Sequence, residues 1–342
     1  MSTSTLKDVA EATGLSVGTV SLVLRDKSDV SIPEKTRRTV KDAAKKIGYQ
    51  PRNRQRSTKT LAIVTFEDLR SRFDNPNFAE IYAGAEDEMT KLGYHALIKR
   101  LHKDEPLAGQ LEILSQGRVD GVLLLGQSKP ELLEELHRLK IPVVYINESD
   151  SLEWDSVMSD VQKAFELTFE TLRNAGHRKI LCIKTAYNYF RRTDAMDYIF
   201  RARCWVGMDE GDLIVLKADG DSADDGYLAM KQYLAEHPRP EFTAAFTGHY
   251  KPYGMVRALR ESGYSVPDDI SVIAIGGIAE KDMEAMPLST IRYPLYQLGQ
   301  EGVLRLIQRC QGLVTNHCRI VLPVDYVDRG TVTTPRPEQR PK

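Results

Sequence analysis

The chain of 342 residues is long enough for about two domains, and 42% hydrophobic with 28% charged residues is a globular composition, not a disordered or fibrous one. No apolar run approaches the length of a membrane span, and the start Met1 to Thr5 carries no basic or apolar leader, so a cytoplasmic protein is expected. Cys182, Cys204, Cys310 and Cys318 are widely spaced with no C-x-x-C pair, which argues against a disulfide framework, and no metal site or cofactor is expected.

Residues 1–50 spell three short helices. Leu6, Val9 and Ala10 recur at i, i+3 and i+4, and Val17, Val20 and Leu24 at i, i+3 and i+7, so two segments each offer one apolar stripe. Between them Gly14 suits the positive φ of a helix-ending turn, and Ser16 can cap the next helix through its hydroxyl. Ser31-Ile32-Pro33-Glu34 reads as a capping box with proline at the first helical position; Thr36, Val40, Ala43, Ala44 and Ile47 then follow at helical spacing until Gly48. This is a helix-turn-helix unit with a third, supporting helix. With Val20, Val23 and Leu24 turned inward, Gly18, Ser21, Leu22 and Arg25 face outward, where they would meet a major groove.

The charge is segregated. Residues 1–60 hold 13 Lys and Arg against 6 Asp and Glu, a net of +7, which leaves −8 for the other 282 residues. A basic head on an acidic body is the footprint of a chain that neutralises phosphates with one module and does something else with the other. The segment Pro51 to Thr60, with Arg52, Arg54, Arg56 and Lys59, has no apolar stripe and reads as a short basic linker that reaches phosphates.

From Leu61 the pattern alternates. Strands are expected at Leu61 to Phe66, Tyr94 to Lys99, Gly121 to Leu125 and Pro142 to Ile146, with helices at Phe78 to Leu92, Pro106 to Gln116 and Pro130 to Leu139. A second series starts near Asp160 with a helix through Asn174. Its strands are Ile180 to Lys184, Leu213 to Leu216, Thr243 to Phe246 and Ile270 to Ile275, and its helices follow Phe190, span Asp224 to Glu236 and end at Ser262. Such alternation means two doubly wound, mostly parallel α/β subdomains. An enzyme is not expected: there is no glycine-rich phosphate loop, no G-x-S-x-G and no H-E-x-x-H, and the seven histidines are scattered.

Thr5 to Ala10, Gly14-Leu15-Ser16, Thr19-Val20-Ser21, Val23-Leu24 and Gly48 to Pro51 together resemble the headpiece of the lactose-repressor (LacI/GalR) family of bacterial transcription regulators. The resemblance implies an all-α helix-turn-helix headpiece on an α/β clamshell like that of periplasmic binding proteins, built of two doubly wound parallel-sheet subdomains. It also implies a homodimer on a pseudo-palindromic operator in double-stranded DNA, controlled by a small-molecule effector in the cleft and with no role for a membrane. The implied divisions are 1–50 for the headpiece, 51–60 for the linker, 61–160 with 292–330 for one subdomain, 161–291 for the other, and 331–342 as a flexible tail. Thr5, Ser16, Val17, Gly18, Thr19, Ser21, Leu22, Arg25, Tyr49, Arg52, Arg54 and Arg56 are the DNA-binding candidates. Family members often carry a polar or basic residue where this chain has Leu22, so thymine methyl contacts are expected there. The leucine with which the family's hinge enters the minor groove is absent here.

The effector candidates are also carried over by resemblance. Asn77 and Phe78 match an Asn-Pro-Phe-Phe segment whose aromatic face lies against the effector. Arg192 matches an arginine that bonds effector oxygens, and Asp160 matches an aspartate after the first crossing, with helix capping as its other reading. Where the family commonly carries carboxylates, this chain has His249 and Gly276. Tyr187, Tyr189, Arg191, Asp221, Tyr250 and Lys251 fill the neighbouring strand ends, with loop-to-loop packing as the alternative for the aromatics. The exchange of carboxylates for bases points to an anionic effector, such as a sugar phosphate or sugar acid. The other reading is a DNA-binding regulator with a degenerate cleft, answering to a protein partner or to no ligand.

Overall fold

A computed structural model describes residues 6–24, 32–47, 57–65, 76–102, 105–115, 117–126, 130–147, 154–185, 195–276 and 286–336. The chain divides into two compact units, Met1–Thr58 and Lys59–Lys342.

In the first unit, α1 (Leu6–Thr13), α2 (Val17–Leu24) and α3 (Glu34–Lys46) close on one core of Val9, Ala10, Val20, Val23, Val40 and Ala44. Gly14 takes φ 67°, which lets the Leu15 amide donate back to the Ala10 carbonyl at 3.2 Å and stop α1. The Ser16 hydroxyl oxygen then accepts from the Thr19 amide at 3.1 Å and starts α2. Two details depart from the sequence pattern. Val17 is 42% exposed, so it belongs to the outward face of α2 and not to its buried stripe. The helix α3 begins one residue late, at Glu34; the Pro33 carbonyl already accepts from the Arg37 amide, which makes proline its cap.

The second unit holds two six-stranded sheets. The first contains β1 (Thr60–Thr65), β2 (His95–Arg100), β3 (Gly121–Leu125), β4 (Val143–Ile146), β5 (Asp155–Ser159) and β11 (Arg319–Leu322), in the order β11-β5-β4-β3-β1-β2 and all parallel. Leu61 to Val64 and Gly121 to Leu125 are buried along their whole length, as expected of strands covered on both faces. One face carries α4 (Pro76–Lys91) and α12 (Leu295–Cys310). These cross so closely that a Cβ on Gly84 would sit 1.9 Å from the Tyr296 carbonyl oxygen. The other face is covered from residues 107–138: α5 (Leu107–Gln110), α6 (Glu112–Ser115) and α7 (Pro130–Arg138). The single helix expected over Pro106 to Gln116 is therefore two short ones, broken at Leu111.

The second sheet contains β6 (Ile180–Thr185), β7 (Leu213–Ala218), β8 (Ala244–Gly248), β9 (Ser271–Ile275), β10 (Ser289–Arg292) and β12 (Asp325–Val327), in the order β12-β10-β9-β8-β6-β7. Only β12 runs antiparallel to its neighbour. Its helices are α8 (Val161–Asn174), α9 (Ala195–Trp205), α10 (Ala223–Glu236) and α11 (Lys251–Glu261). Each half thus repeats one winding: its second strand lies outside its first, and the third, fourth and fifth lie on the other side.

The chain passes between the halves three times, after β5, after β10 and between β11 and β12. Two expectations fail here. The strand β5 was not foreseen, and the last strand does not stay in the first subdomain, because β12 pairs with β10. The segment after it is no free tail as far as Arg336. The Val272 amide donates to the Thr331 carbonyl at 2.7 Å, the Thr333 amide to the Ser271 hydroxyl oxygen at 3.0 Å, and Arg336 pairs with Asp269 at 2.9 Å.

Candidate functional site

In doubly wound sheets a ligand crevice forms at the carboxyl ends of the strands, where the winding reverses direction. In the second sheet that point lies between β6 and β8, and the residues there are linked. Lys251, in the first turn of α11, is only 2% exposed. Its amine donates to the Thr185 hydroxyl oxygen at 3.0 Å and to Asp221 Oδ1, and the Thr185 hydroxyl donates to the same Oδ1 at 2.5 Å. His249 Nε2 stands 4.0 Å from Asp221 Oδ2. Burial pushes the Asp221 carboxyl up, but the charges of His249 and Lys251, with hydrogen bonds from Lys251 and Thr185, outweigh it and hold the group down to about 2. His249 itself has φ 57°, a left-handed conformation that non-glycine residues rarely adopt and that clusters at functional loops. Tyr250 follows, its amide donating to the Asp221 carbonyl at 3.2 Å.

Gly276, just past β9, has φ 80°, and a Cβ there would stand 3.3 Å from the Tyr293 ring. Tyr293, at the second passage between the halves, is half-buried and packs against the cores of both. The sequence pattern did not single it out, although its place between Arg292 and Pro294, where the chain changes sheets, was a signal.

At the corresponding point of the first sheet, between β1 and β3, Thr65 ends β1 as Thr185 ends β6. It is fully buried, and its hydroxyl has no hydrogen-bond partner among the described residues; the same holds for Ser159 at the end of β5. Asp160 caps α8, accepting from the Lys163 amide at 2.9 Å, so its capping reading is realised. Phe78 is 3% exposed and packs with Leu61, Ile63, Ile81 and Leu295. That burial makes it a core residue of the first half. Asn77 lies in the first turn of α4, and its side chain is outside the described set.

The strand ends therefore bring Asp221, His249, Tyr250 and Gly276 to one edge. Lys251 corrects the basic reading of that edge: it is buried and its charge is met by Asp221. Tyr187, Tyr189, Arg191 and Arg192 lie outside the described residues.

In the headpiece, Ser16, Val17 and Gly18 are exposed and Thr19, Ser21 and Leu22 half-buried along one side of α2. That side is polar and small, with Val17 and Leu22 as its apolar points. Thr5, Arg25, Tyr49, Arg52, Arg54 and Arg56 lie outside the described residues. Among the described residues no cluster of metal-ligating side chains occurs, and no helix is long and apolar enough to cross a membrane.

A family model described as the periplasmic binding proteins and sugar binding domain of the LacI family matches residues 58–329, and one described as bacterial regulatory proteins of the lacI family matches residues 5–52. An HTH-type transcriptional repressor PurR of Pectobacterium carotovorum subsp. carotovorum is 32% identical over 322 residues, covering 90% of this chain and 90% of that protein. The ribose operon repressor of Bacillus subtilis is 30% identical over 338 residues, covering 96% and 98%. A solved complex of the transcriptional regulator CelR with cellobiose is 26% identical with a TM-score of 0.70, covering 96% of this chain and 99% of that one.

Proposed function

Because this chain belongs to the LacI family of bacterial regulatory proteins, a family of DNA-binding transcription regulators, we propose that it is a repressor whose homodimer binds a pseudo-palindromic operator and whose operator affinity changes when a sugar or sugar derivative occupies the cleft at the strand ends. The observation that carries this reading is the outward side of α2, a capped helix held by a glycine turn, with exposed Ser16, Val17 and Gly18 next to half-buried Thr19, Ser21 and Leu22. A recognition helix presents such a side to base edges, and Val17 and Leu22 suit thymine methyls. Thr5, Arg25, Tyr49 and the linker residues Arg52, Arg54 and Arg56 complete the set by meeting phosphates and sugars.

Support for an effector comes from two directions. Each sheet has its winding reversal at the carboxyl ends of its strands, where one carries buried hydroxyls with no partner among the described residues and the other the Asp221–Lys251 pair. Among the relatives one is named for a ribose operon and another is solved with cellobiose. Selection of binding sites from random duplexes tests the first half of the proposal. A two-fold site is expected, and Leu22→Arg shifts its half-site preference toward guanine more than it changes affinity; binding with no preference among sequences refutes it. A thermal-shift panel of sugars and their phosphates tests the second half, since a ligand at about 100 times its Kd adds roughly 2.7 kcal/mol of stability. The same hit must change operator affinity.

A further inference from the structure

Lys59 belongs by sequence to the basic linker, yet the structure builds it into the body. It stands one residue ahead of β1 with φ 53°, a left-handed conformation that residues with a Cβ rarely adopt. The other non-glycine residues of this kind among the described ones have local reasons. Lys140 follows the end of α7, where its amide donates back to the His137 carbonyl at 2.9 Å; Asn147 has the short polar side chain that tolerates such a bend; His249 stands in the strand-end site. Lys59 ends no helix. It is held from both sides of β1 instead: its amide donates to Oδ2 of Asp120, just ahead of β3, at 3.1 Å, and its carbonyl accepts from the amide of His95, the first residue of β2, at 2.6 Å. The Asp120 amide donates in turn to the Thr60 carbonyl at 2.8 Å. The Lys59 ammonium lies 4.1 Å from the centre of the Tyr94 ring, which is 4% exposed and part of the core of the first half.

A strained residue persists only where its surroundings over-determine it, and here they do so at the single point where the chain enters the body. Resting on the reading of a homodimer on a two-fold operator, we propose that Lys59, clamped by Asp120, His95 and Tyr94, is a positioning residue that fixes the heading with which each linker leaves the body and thereby selects the spacing between the two half-sites. Linker length alone cannot do this. An unconstrained stretch of eight residues, the length from Pro51 to Thr58, reaches roughly 15 Å from end to end, several times the step of about 3.4 Å between base pairs. Nor does that stretch hold an apolar residue other than Pro51 that could wedge into a groove. Each added base pair also turns one half-site by about 35° against the other, so a fixed heading rejects a wrong spacing by angle as well as by distance.

Selection from random duplexes, run on the full-length chain and its variants, reads half-site sequence and half-site spacing separately. Asp120→Ala removes the acceptor of the Lys59 amide. Lys59→Gly removes the ring contact and frees the backbone to take either sign of φ. Asp120→Asn loses the charge but keeps an oxygen that accepts from the same amide. All four proteins are expected to select one half-site sequence. Wild type and Asp120→Asn favour a single spacing over its neighbours by about tenfold, or roughly 1.4 kcal/mol, and in Asp120→Ala and Lys59→Gly this preference falls to about twofold. A mere loss of stability lowers binding at every spacing alike and does not move this ratio. Should one variant not fold, the other decides. A wild-type spacing preference kept in Asp120→Ala or Lys59→Gly overturns the proposal, and so does an Asp120→Asn that loses it as fully as Asp120→Ala. A wild type that selects two-fold sites at several spacings equally overturns it without any variant. If wild type selects no two-fold site, the operator reading itself fails and takes the proposal with it, so the two failures are distinguishable.

Discussion

The two halves of the body share one winding but place their buried charge at opposite ends. In the second half the charge sits at the carboxyl ends of the strands, as Lys251 with Asp221. Its amino end is closed by a neutral lock: the buried His177 ring bonds Thr243 Oγ1 at 2.8 Å and the Thr333 carbonyl at 2.9 Å. In the first half the order is inverted. Asp155, the first residue of β5 and wholly buried, accepts from Arg305 Nε at 2.6 Å, pairs with Arg309 at 3.2 Å and accepts from the Cys318 amide at 3.1 Å, while His317 Nδ1 stands 3.1 Å away. Among the described residues, its carboxyl end holds the buried hydroxyls of Thr65 and Ser159 and no buried charge. Charge at the amino end ties α12 and β11 to the sheet, whereas charge at the carboxyl end stands where the proposed effector would bind; on that proposal the same interaction serves anchoring in one half and recognition in the other.

The largest effect should come from the charged anchor. Asp155→Ala leaves two guanidinium groups, 11% and 19% exposed, without their carboxylate. Breaking a buried pair from one side costs about 3–5 kcal/mol. Chemical denaturation of wild type and variant measures it; a loss under about 1 kcal/mol would mean that the charge does not anchor this half and would break the comparison.

The neutral lock responds to pH instead. Burial is the main cause that lowers the His177 pKa from 6.5 to about 4, against the bond to Thr333, which raises it. Between those values the unfolded chain binds a proton that the folded chain refuses, so stability rises with pH across the window. It is complete above about 6.5, is lost progressively on acidification, and the total loss of roughly 3 kcal/mol is reached near pH 4. His177→Gln, which cannot be protonated, should flatten the stability profile between pH 4 and 6.5 while Asp155→Ala leaves its slope in place. A wild-type profile already flat there would remove the distinction between the two locks.

This inversion explains what could be read from the chain and what could not. The headpiece was legible because its signals are local: Gly14 ends one helix and Ser16 starts the next within three residues. The long apolar strands were legible for the same reason. The strand β5 was not, since Asp155, Ser156 and Ser159 read as loop residues, and the partners that permit Asp155 to be buried lie 150 and more residues away. The return of β12 to the second sheet rests on three residue pairs that carry no pattern of their own. At the site, the alternating pattern put Asp221, His249 and Gly276 past strand ends, and they stand there, after β7, β8 and β9. Burial was not legible: Lys251 looks like a free base until Asp221, 30 positions away, is seen to hold it, and nothing local to Phe78 says that it shares a core with Leu295.

The smallest effect is also the sharpest comparison, because Thr65 and Thr185 end equivalent strands. The Thr65 hydroxyl is buried with no partner among the described residues, so Thr65→Val removes an unsatisfied group and should leave stability unchanged or raise it by up to about 1 kcal/mol. Thr185→Val removes a donor to Asp221 and an acceptor for Lys251, and should cost roughly 1–3 kcal/mol by leaving charged groups short of a hydrogen bond. Effector binding should order the two differently. If that hydroxyl bonds a ligand in the proposed cleft, Thr65→Val should weaken a sugar found in the thermal-shift panel by about fivefold, a loss of roughly 1 kcal/mol for one hydrogen bond. A Thr65→Val variant that is both less stable and unchanged in sugar affinity would show that the hydroxyl has a structural partner, and that the first half contributes no polar group to the cleft at this point.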